Sequence, residues 1–267
     1  MLERVTEATG SRKVVIGKDI PAFIIAPRKI PKSAQCEEKR MISVVIPAHN
    51  EAGEIVKLLQ EFRSFHGLEL IVAEDASTDG TPEIVQEFAS GNRNVILTSS
   101  STLTGKGGAI KRGLAAATGD VVGFIDADRS IHPDDFMRLV DAIDRGADLA
   151  IGSRKLPGSV ILQPQPFLRR ILGSAYAVLA RVLLNTTERD LQCGCKAFRR
   201  SLWDALSINC DGFAFDTELV AKAHKKGFAI AEVPITWRNK ADSKVKVRRD
   251  VISMFRCLLS VRAEIRR

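Results

Sequence analysis

The chain is poor in several features that would narrow its chemistry at once. Aromatic residues make up 6% of its 267 positions, with one tyrosine and two tryptophans. No nucleic-acid recognition motif accompanies its basic residues, so nucleic acid is not an expected partner. Internal repeats, low-complexity tracts and Pro-rich linkers are absent. One sizeable core with an appended segment is therefore expected. No long apolar run follows Met1, which argues against a secretory signal. In the apolar stretch from Phe167 to Leu184, the longest charge-free segment is Ile171 to Ala180. That is short of the ~20 residues needed to cross a bilayer. The five cysteines, Cys36, Cys193, Cys195, Cys210 and Cys257, are odd in number and match no disulfide framework or zinc motif. A reducing compartment is expected. Cys193 and Cys195 would share one face of a strand, but small buried residues beside Gly194 are the favoured reading over a metal pair.

What is present is unevenly placed. The net charge is +8, and residues 244–267 hold eight basic residues against Asp250 and Glu264, so this tail carries +6 and the remainder +2. Such a tail attracts phosphate on nucleic acid or on a membrane surface. Residues 1–40 carry scattered charges and two Ile-Pro steps without a sustained period, and read as an N-terminal extension.

From Met41 onward the pattern alternates. Ile42 to Ile46 is a β-branched run closed by Pro47, and reads as a buried strand. Asn50 stands where a helix N-cap belongs, ahead of Ile55, Leu58, Leu59 and Phe62 at helical spacing. Further strands are expected at Leu68–Ala73, Asn94–Thr98, Asp120–Ile125, Ala147–Gly152 and Phe228–Val233. Helices are expected from Thr81-Pro82, over Gly105–Ala117, from Pro133, over Phe167–Leu184, Asp216–Lys226 and Val247–Arg267. Strands alternating with helices predict an α/β fold with a mostly parallel sheet covered on both sides. Ligands of such sheets bind beyond the carboxyl ends of the strands.

The polar motifs lie at those ends. Asp126-Ala127-Asp128 follows the apolar run Val121–Ile125. Two hard carboxylates at a strand end suit Mg²⁺ or Mn²⁺ shared with substrate phosphates; a solvated acidic turn is the plainer alternative. Asp75, in the run Glu74 to Thr81, can accept hydrogen bonds from a nucleobase or ribose, although Asp79-Gly80 is also ordinary turn chemistry. Glu51 could bind ribose hydroxyls, or its segment could simply cap a helix. Thr104-Gly105-Lys106-Gly107-Gly108-Ala109 opens a helix, and Lys106 could meet an anion. Its spacing is not that of a Walker A loop, which excludes a P-loop NTPase. Gly152-Ser153-Arg154 closes another strand and offers Arg154 to phosphate.

Taken in order, Ile46 to Glu51, Glu74 to Thr81, Gly105 to Ala109, Asp126 to Asp128 and Gly152 to Arg154 resemble the family 2 glycosyltransferases, with the dolichyl-phosphate sugar synthases as the nearest subgroup. Three later segments look like the dolichyl-phosphate glucosyltransferases: Asp190 to Phe198, Phe215 to Leu219, and Ala231 to Trp237 followed by Ser243-Lys244-Val245. The resemblance covers about residues 41–247. It implies a GT-A, Rossmann-like domain over residues 41–243, while residues 244–267 read from their own pattern as a basic amphipathic helix. It also implies roles by position. Pro47, Asn50, Glu51, Asp75 and Lys106 would lie on the nucleotide side. Asp126 and Asp128 would bind the metal and the diphosphate region. Arg154 and Lys244 would stabilise phosphate charge. Gln192, Asp216 and Glu218 would line the sugar and acceptor side. The implied reaction transfers a hexose, with inversion, to a polyprenyl (dolichyl) phosphate. The donor would be UDP-glucose, with GDP-mannose as the alternative; a non-catalytic subunit that binds nucleotide or membrane is a further one. Two departures stand out. His49 occupies a position usually held by tyrosine, and Arg129 to Pro133 alters the spacing after Asp128. That leaves His132 as either a third metal ligand or a surface residue. Peripheral attachment to the cytosolic face of a membrane is expected, through the tail and the helix at 167–184.

Overall fold

The computed structural model describes residues 23–24, 40–164, 167–240 and 247–266. Lys244, with Ser243 and Val245, lies outside the described residues. The strands are β1 (Phe23–Ile24), β2 (Ile42–Ala48), β3 (Leu68–Asp75), β4 (Val95–Ser100), β5 (Val121–Ile125), β6 (Leu149–Ser153), β7 (Val160–Gln163), β8 (Cys195–Arg199), β9 (Ile230–Pro234) and β10 (Thr236–Arg238). The helices are α1 (Ile55–Glu61), α2 (Thr81–Ser90), α3 (Lys106–Ala116), α4 (Pro133–Asp144), α5 (Phe167–Leu184), α6 (Arg200–Ala205), α7 (Phe215–Lys225) and α8 (Val247–Arg266).

The main sheet has the order β1-β9-β6-β8-β5-β2-β3-β4. Strands β2 to β6 and β9 run the same way, while β8 and β1 are reversed. This is the expected α/β architecture. Its period-2 logic is visible in β2: Val44 and Ile46 enter a core shared with α1, α2 and α4, whereas Val45 enters a second core with α3, α5, α6, α7 and α8. Neighbouring β3 repeats this, with Leu70 and Val72 on one side and Ile71 and Ala73 on the other. Each large side chain fully buried in this way contributes roughly 1.5–3 kcal/mol. Both faces are apolar, so the strands read as continuous runs rather than alternating ones.

Four features differ from the sequence expectation. Asn50 is not a helix cap. It takes a left-handed conformation at φ 54°, and α1 begins five residues later, after Glu54. Asn50 Oδ1 instead accepts from Thr78 N at 2.7 Å, tying the β2 exit to the β3 exit. Secondly, β8 is inserted antiparallel between β5 and β6. Thirdly, part of the N-terminal extension pairs with β9, Phe23 opposite Glu232. Lastly, Cys210 and Cys257 form a disulfide across 47 residues, a pairing that no local spacing announces. It fastens α8 to the segment leading into α7. Cys193 and Cys195 are free and buried, as the small-residue reading has it.

Candidate active site

The end of β5 delivers Asp126 and Asp128. Asp126 N donates to Gly194 O at 2.9 Å, which brings the loop before β8 against the acidic pair. Gly194 must be glycine there: a Cβ would lie 1.8 Å from Asp126 Oδ2. Asp128 Oδ1 accepts from Ser130 N at 2.9 Å. Next in the chain, Arg129 adopts φ 58° and ties the loop to α1 and its N-cap by bonding Glu61 (2.9 Å) and Glu54 (3.0 Å). A left-handed non-glycine residue is unfavourable, and these two ion pairs hold it in place.

Around Asp126 lies a buried charge cluster. Lys106 Nζ, from the start of α3, is 2.8 Å from Asp126 Oδ1 and 3.2 Å from Asp216 Oδ2. Asp216, in the first turn of α7, also bonds Lys196 Nζ at 2.5 Å, and Lys196 donates to Cys193 O at 2.7 Å. Both ammonium groups sit about as far as cation–π contact allows from the Phe124 ring, at 5.6 and 5.5 Å. Burial alone would lower the Lys106 pKa, but Asp126 and Asp216 outweigh it and hold it above its ordinary value. Burial would raise Asp216, yet Lys106 and Lys196 hold it below the usual carboxylate range. Asp126 is different: burial pushes it up, Lys106 pulls it down, and repulsion from Asp128 helps to leave it raised. Its side chain remains 36% exposed.

Three carboxylates thus stand against two ammonium groups, and the two nearest to solvent repel one another. That donor set, hard oxygens at a strand end with residual negative charge, fits a divalent cation of the Mg²⁺ or Mn²⁺ type. Among the described residues no third His, Cys, Asp or Glu closes a three-ligand group around the pair. The group that does exist, Cys210, Glu218 and Cys257, contains the disulfide. His132 is the N-cap of α4: its Nδ1 accepts from Asp134 N at 3.3 Å and its side chain is exposed.

Arg154, at the end of β6, is gripped by Asp190, with Nε 2.7 Å from Oδ2 and Nη2 2.8 Å from Oδ1. The guanidinium also stacks 5.5 Å from the Trp237 ring. Among the described residues its Nη1 makes no protein hydrogen bond, so one edge of the fork is available to an anion. Gln192 is half-buried, two residues before Gly194.

Other candidates are employed within the protein. Asp75 accepts from Thr104 N, Thr104 Oγ1 (2.6 Å) and Gly105 N (2.7 Å), so its lone pairs anchor the glycine-rich turn rather than standing open to a base. The glycines of that turn serve a close approach of backbone to backbone: a Cβ on Gly107 would lie 2.6 Å from Cys210 O. Glu218 is fully buried and accepts from Asn209 N (3.0 Å) and Cys210 N (2.7 Å) while pairing with Lys222. Two residues beyond Asp216 on a helix is roughly the opposite face, which is why it leaves the cluster. Pro47 lies at the end of β2, and Glu51 N bonds Thr81 Oγ1 at 2.9 Å. His49 Nδ1 is 2.7 Å from Asp75 O, which ties it to the β3 exit. Lys196, Asp190 and Arg129 were not singled out from sequence. Lys196 and Asp190 did lie inside a segment that carried the family resemblance.

Residues 43–206 match the family described as Glycosyl transferase family 2. A Haloferax volcanii protein named Glycosyltransferase AglD is 36% identical over 223 residues, covering 80% of this chain and 35% of that protein. The chain thus spans about a third of that relative's length. A Mycolicibacterium smegmatis polyprenol monophosphomannose synthase is 30% identical, covering 74% and 77%. A Saccharomyces cerevisiae dolichyl-phosphate beta-glucosyltransferase is 29% identical, covering 85% and 76%. Among solved structures, glucosyl-3-phosphoglycerate synthase from Mycobacterium tuberculosis, in complex with Mn²⁺, UDP and glucosyl-3-phosphoglycerate, superimposes with a TM-score of 0.64 at 27% identity, covering 85% of this chain and 80% of the other.

Proposed function

Since the chain belongs to glycosyl transferase family 2, we propose that it transfers a hexose from a nucleotide sugar to a polyprenyl phosphate with inversion. UDP-glucose is the favoured donor. The observation that carries the reading is the Asp126–Asp128 pair at the carboxyl end of β5, with Lys106 and Asp216 packed against it. The relatives named for polyprenyl or dolichyl phosphate support the acceptor class. Asp126 and Asp128 would hold Mg²⁺ or Mn²⁺, which when bound supplies charge neutralisation to the departing nucleoside diphosphate.

The chain's own residues do the rest. An oxygen of the acceptor phosphate attacks the anomeric carbon, a carbon–oxygen bond forms, and the bond to the diphosphate oxygen breaks on the opposite face. A phosphate acceptor is already ionised near neutral pH, so no side chain has to remove a proton. Arg154, held rigid by Asp190, presents its open edge to phosphate charge without reorganisation. Lys106 bridges Asp126 and Asp216 and lowers the cost of their charge, and Gln192 lies on the sugar side. Pro47 and Glu51 lie at the nucleoside end. Lys244 is assigned to phosphate charge by resemblance alone.

For attachment to a membrane, α5 and α8 pack together and leave Val178, Leu179, Val182, Phe255 and Leu259 exposed. Among the described residues no helix is long and apolar enough to cross a bilayer. We assign this paired face, with the basic tail, to the interface of an acidic membrane. The test is incubation with mixed UDP- and GDP-sugars and a polyprenyl phosphate, followed by mass measurement of the lipid. A hexosyl adduct drawn from UDP-glucose is expected. An adduct only from GDP-mannose replaces the donor, and no adduct from any donor refutes the reading.

A further inference from the structure

At the far end of α7 from Asp216, about 14 Å along the helix axis by its rise per residue, the carboxyl ends of α5, α7 and α8 converge. They line a half-open surface pocket of about 490 Å³. Its walls include Val182 and Ile265, and its polar lining includes His224, Lys225, Arg262 and Arg266. Among the described residues no carboxylate lines it. Two acidic groups beside lining residues are engaged: Glu188, buried, with His224 Nδ1 at 3.0 Å, and Glu264, next to Ile265 in the chain, with Lys222 at 2.6 Å. Among the described residues, Lys225 and Arg266 form no ion pair.

Cations are expected near helix carboxyl ends, where about half a negative charge gathers on the last carbonyls. Arg262 does cap Leu183 O, at 3.2 Å. Capping explains that one contact and not the open space. A cap closes onto its carbonyls, whereas here three basic side chains and a histidine surround a volume large enough for a phosphate with its substituents. The apolar walls continue onto the exposed face, since Val182 belongs to both and is 73% exposed.

We propose that this pocket binds a phosphate-type anion carrying an apolar substituent, as in the headgroup region of an acidic lipid. The site lies apart from the charge cluster at Asp126 and does not depend on the sugar-transfer reading. Full-length protein is tested against vesicles of phosphatidylcholine with and without about 20% phosphatidylglycerol, which makes the surface potential negative, and separately against inorganic phosphate by calorimetry. Lys225→Glu/Arg266→Glu is compared with Arg93→Glu/Arg145→Glu, which changes net charge equally at exposed positions elsewhere. Lys225→Gln/Arg266→Gln serves if the reversal does not fold.

Binding to acidic vesicles should fall at least ~10-fold in the site variants and less than ~2-fold in the control. Binding of inorganic phosphate alone, lost in the same site variants, supports the site with a free phosphate as its ligand. Equal losses in site and control variants, or no binding of either probe by the wild type, overturns the proposal. Hexose transfer to polyprenyl phosphate in detergent should be unchanged in the site variants. A wild type that transfers nothing but binds acidic vesicles in this pattern refutes the function above and leaves this site standing.

Discussion

At the scale of single residues, the chemistry is decided by which carboxylates have spent their lone pairs. Asp126 has not, and its charge is raised in cost by burial and by Asp128. Asp126→Ala should therefore reduce kcat at least ~100-fold, the usual loss for one member of a preorganised electrostatic site. It should also abolish the rise in Tm expected of the wild type with Mn²⁺ and UDP. An unchanged kcat in the variant, or an undiminished shift, refutes its role. Asp190 belongs to the other kind. Asp190→Asn leaves Arg154 facing one neutral amide, and breaking such a pair costs about 2 kcal/mol once the partial exposure of Arg154 is discounted. Urea unfolding should show that loss, with a fall in kcat/KM of about 10-fold as the guanidinium loses its fixed orientation. The Asp126–Asp128 pair could be found from sequence because an apolar strand ending in Asp-x-Asp is a local pattern. Asp75 was assigned a ligand role on residue type and position, and Glu218 on family resemblance. Nothing in a sequence shows that Thr104, Gly105, Asn209 and Cys210 already occupy them.

At the scale of elements, the parallel strands were legible and the reversed ones were not. Strands β2 to β6 and β9 each carry a short apolar run, and most are separated by helical periods. By contrast β8 has five residues, Cys-Lys-Ala-Phe-Arg, with a fully buried lysine at its second position. Its strand state comes from the gap between β5 and β6 that it fills, a tertiary cause. The two-residue β1 and the small pair of β7 with β10 carry too little local pattern to be read. The placement of β8 has a consequence for the site, because it presses Gly194 against Asp126. Gly194→Ala puts a methyl group on the Asp126 carboxylate. The expected outcome is a protein with native far-ultraviolet circular dichroism and a Tm within a few degrees of wild type, whose Mn²⁺ requirement rises at least ~10-fold, since overpacking of one side chain costs ~1–3 kcal/mol. A variant with wild-type Mn²⁺ dependence would show that Asp126 can serve from another rotamer.

For the whole molecule, stability should follow the carboxylates that the fold ionises. Glu54 is lowered to about 2: burial works against it, and hydrogen bonds from Lys57, Arg129 and Lys240 prevail. Asp79, Asp190 and Asp216 are also lowered, by hydroxyl and amide donors or by cations against an opposing burial. A carboxylate whose folded pKa lies below its unfolded value contributes stability that is complete above the unfolded value. That stability is lost as pH falls through the folded one. The unfolded values here are 3.8 for aspartate and 4.5 for glutamate. Asp126 and Glu232 are shifted the other way, burial being the leading cause, and so favour the folded state slightly as acid is added. Four lowered groups spread from α1 to α7 outweigh two raised ones. The urea midpoint should therefore stay level from pH 7 to about 5 and then fall steadily, with the steepest loss below the ordinary carboxylate range. Asp190→Asn should flatten that fall, because one of the four groups no longer titrates. A midpoint that climbs on acidification, or an Asp190→Asn curve parallel to wild type, would mean that these ion pairs do not set the acid limit of the fold.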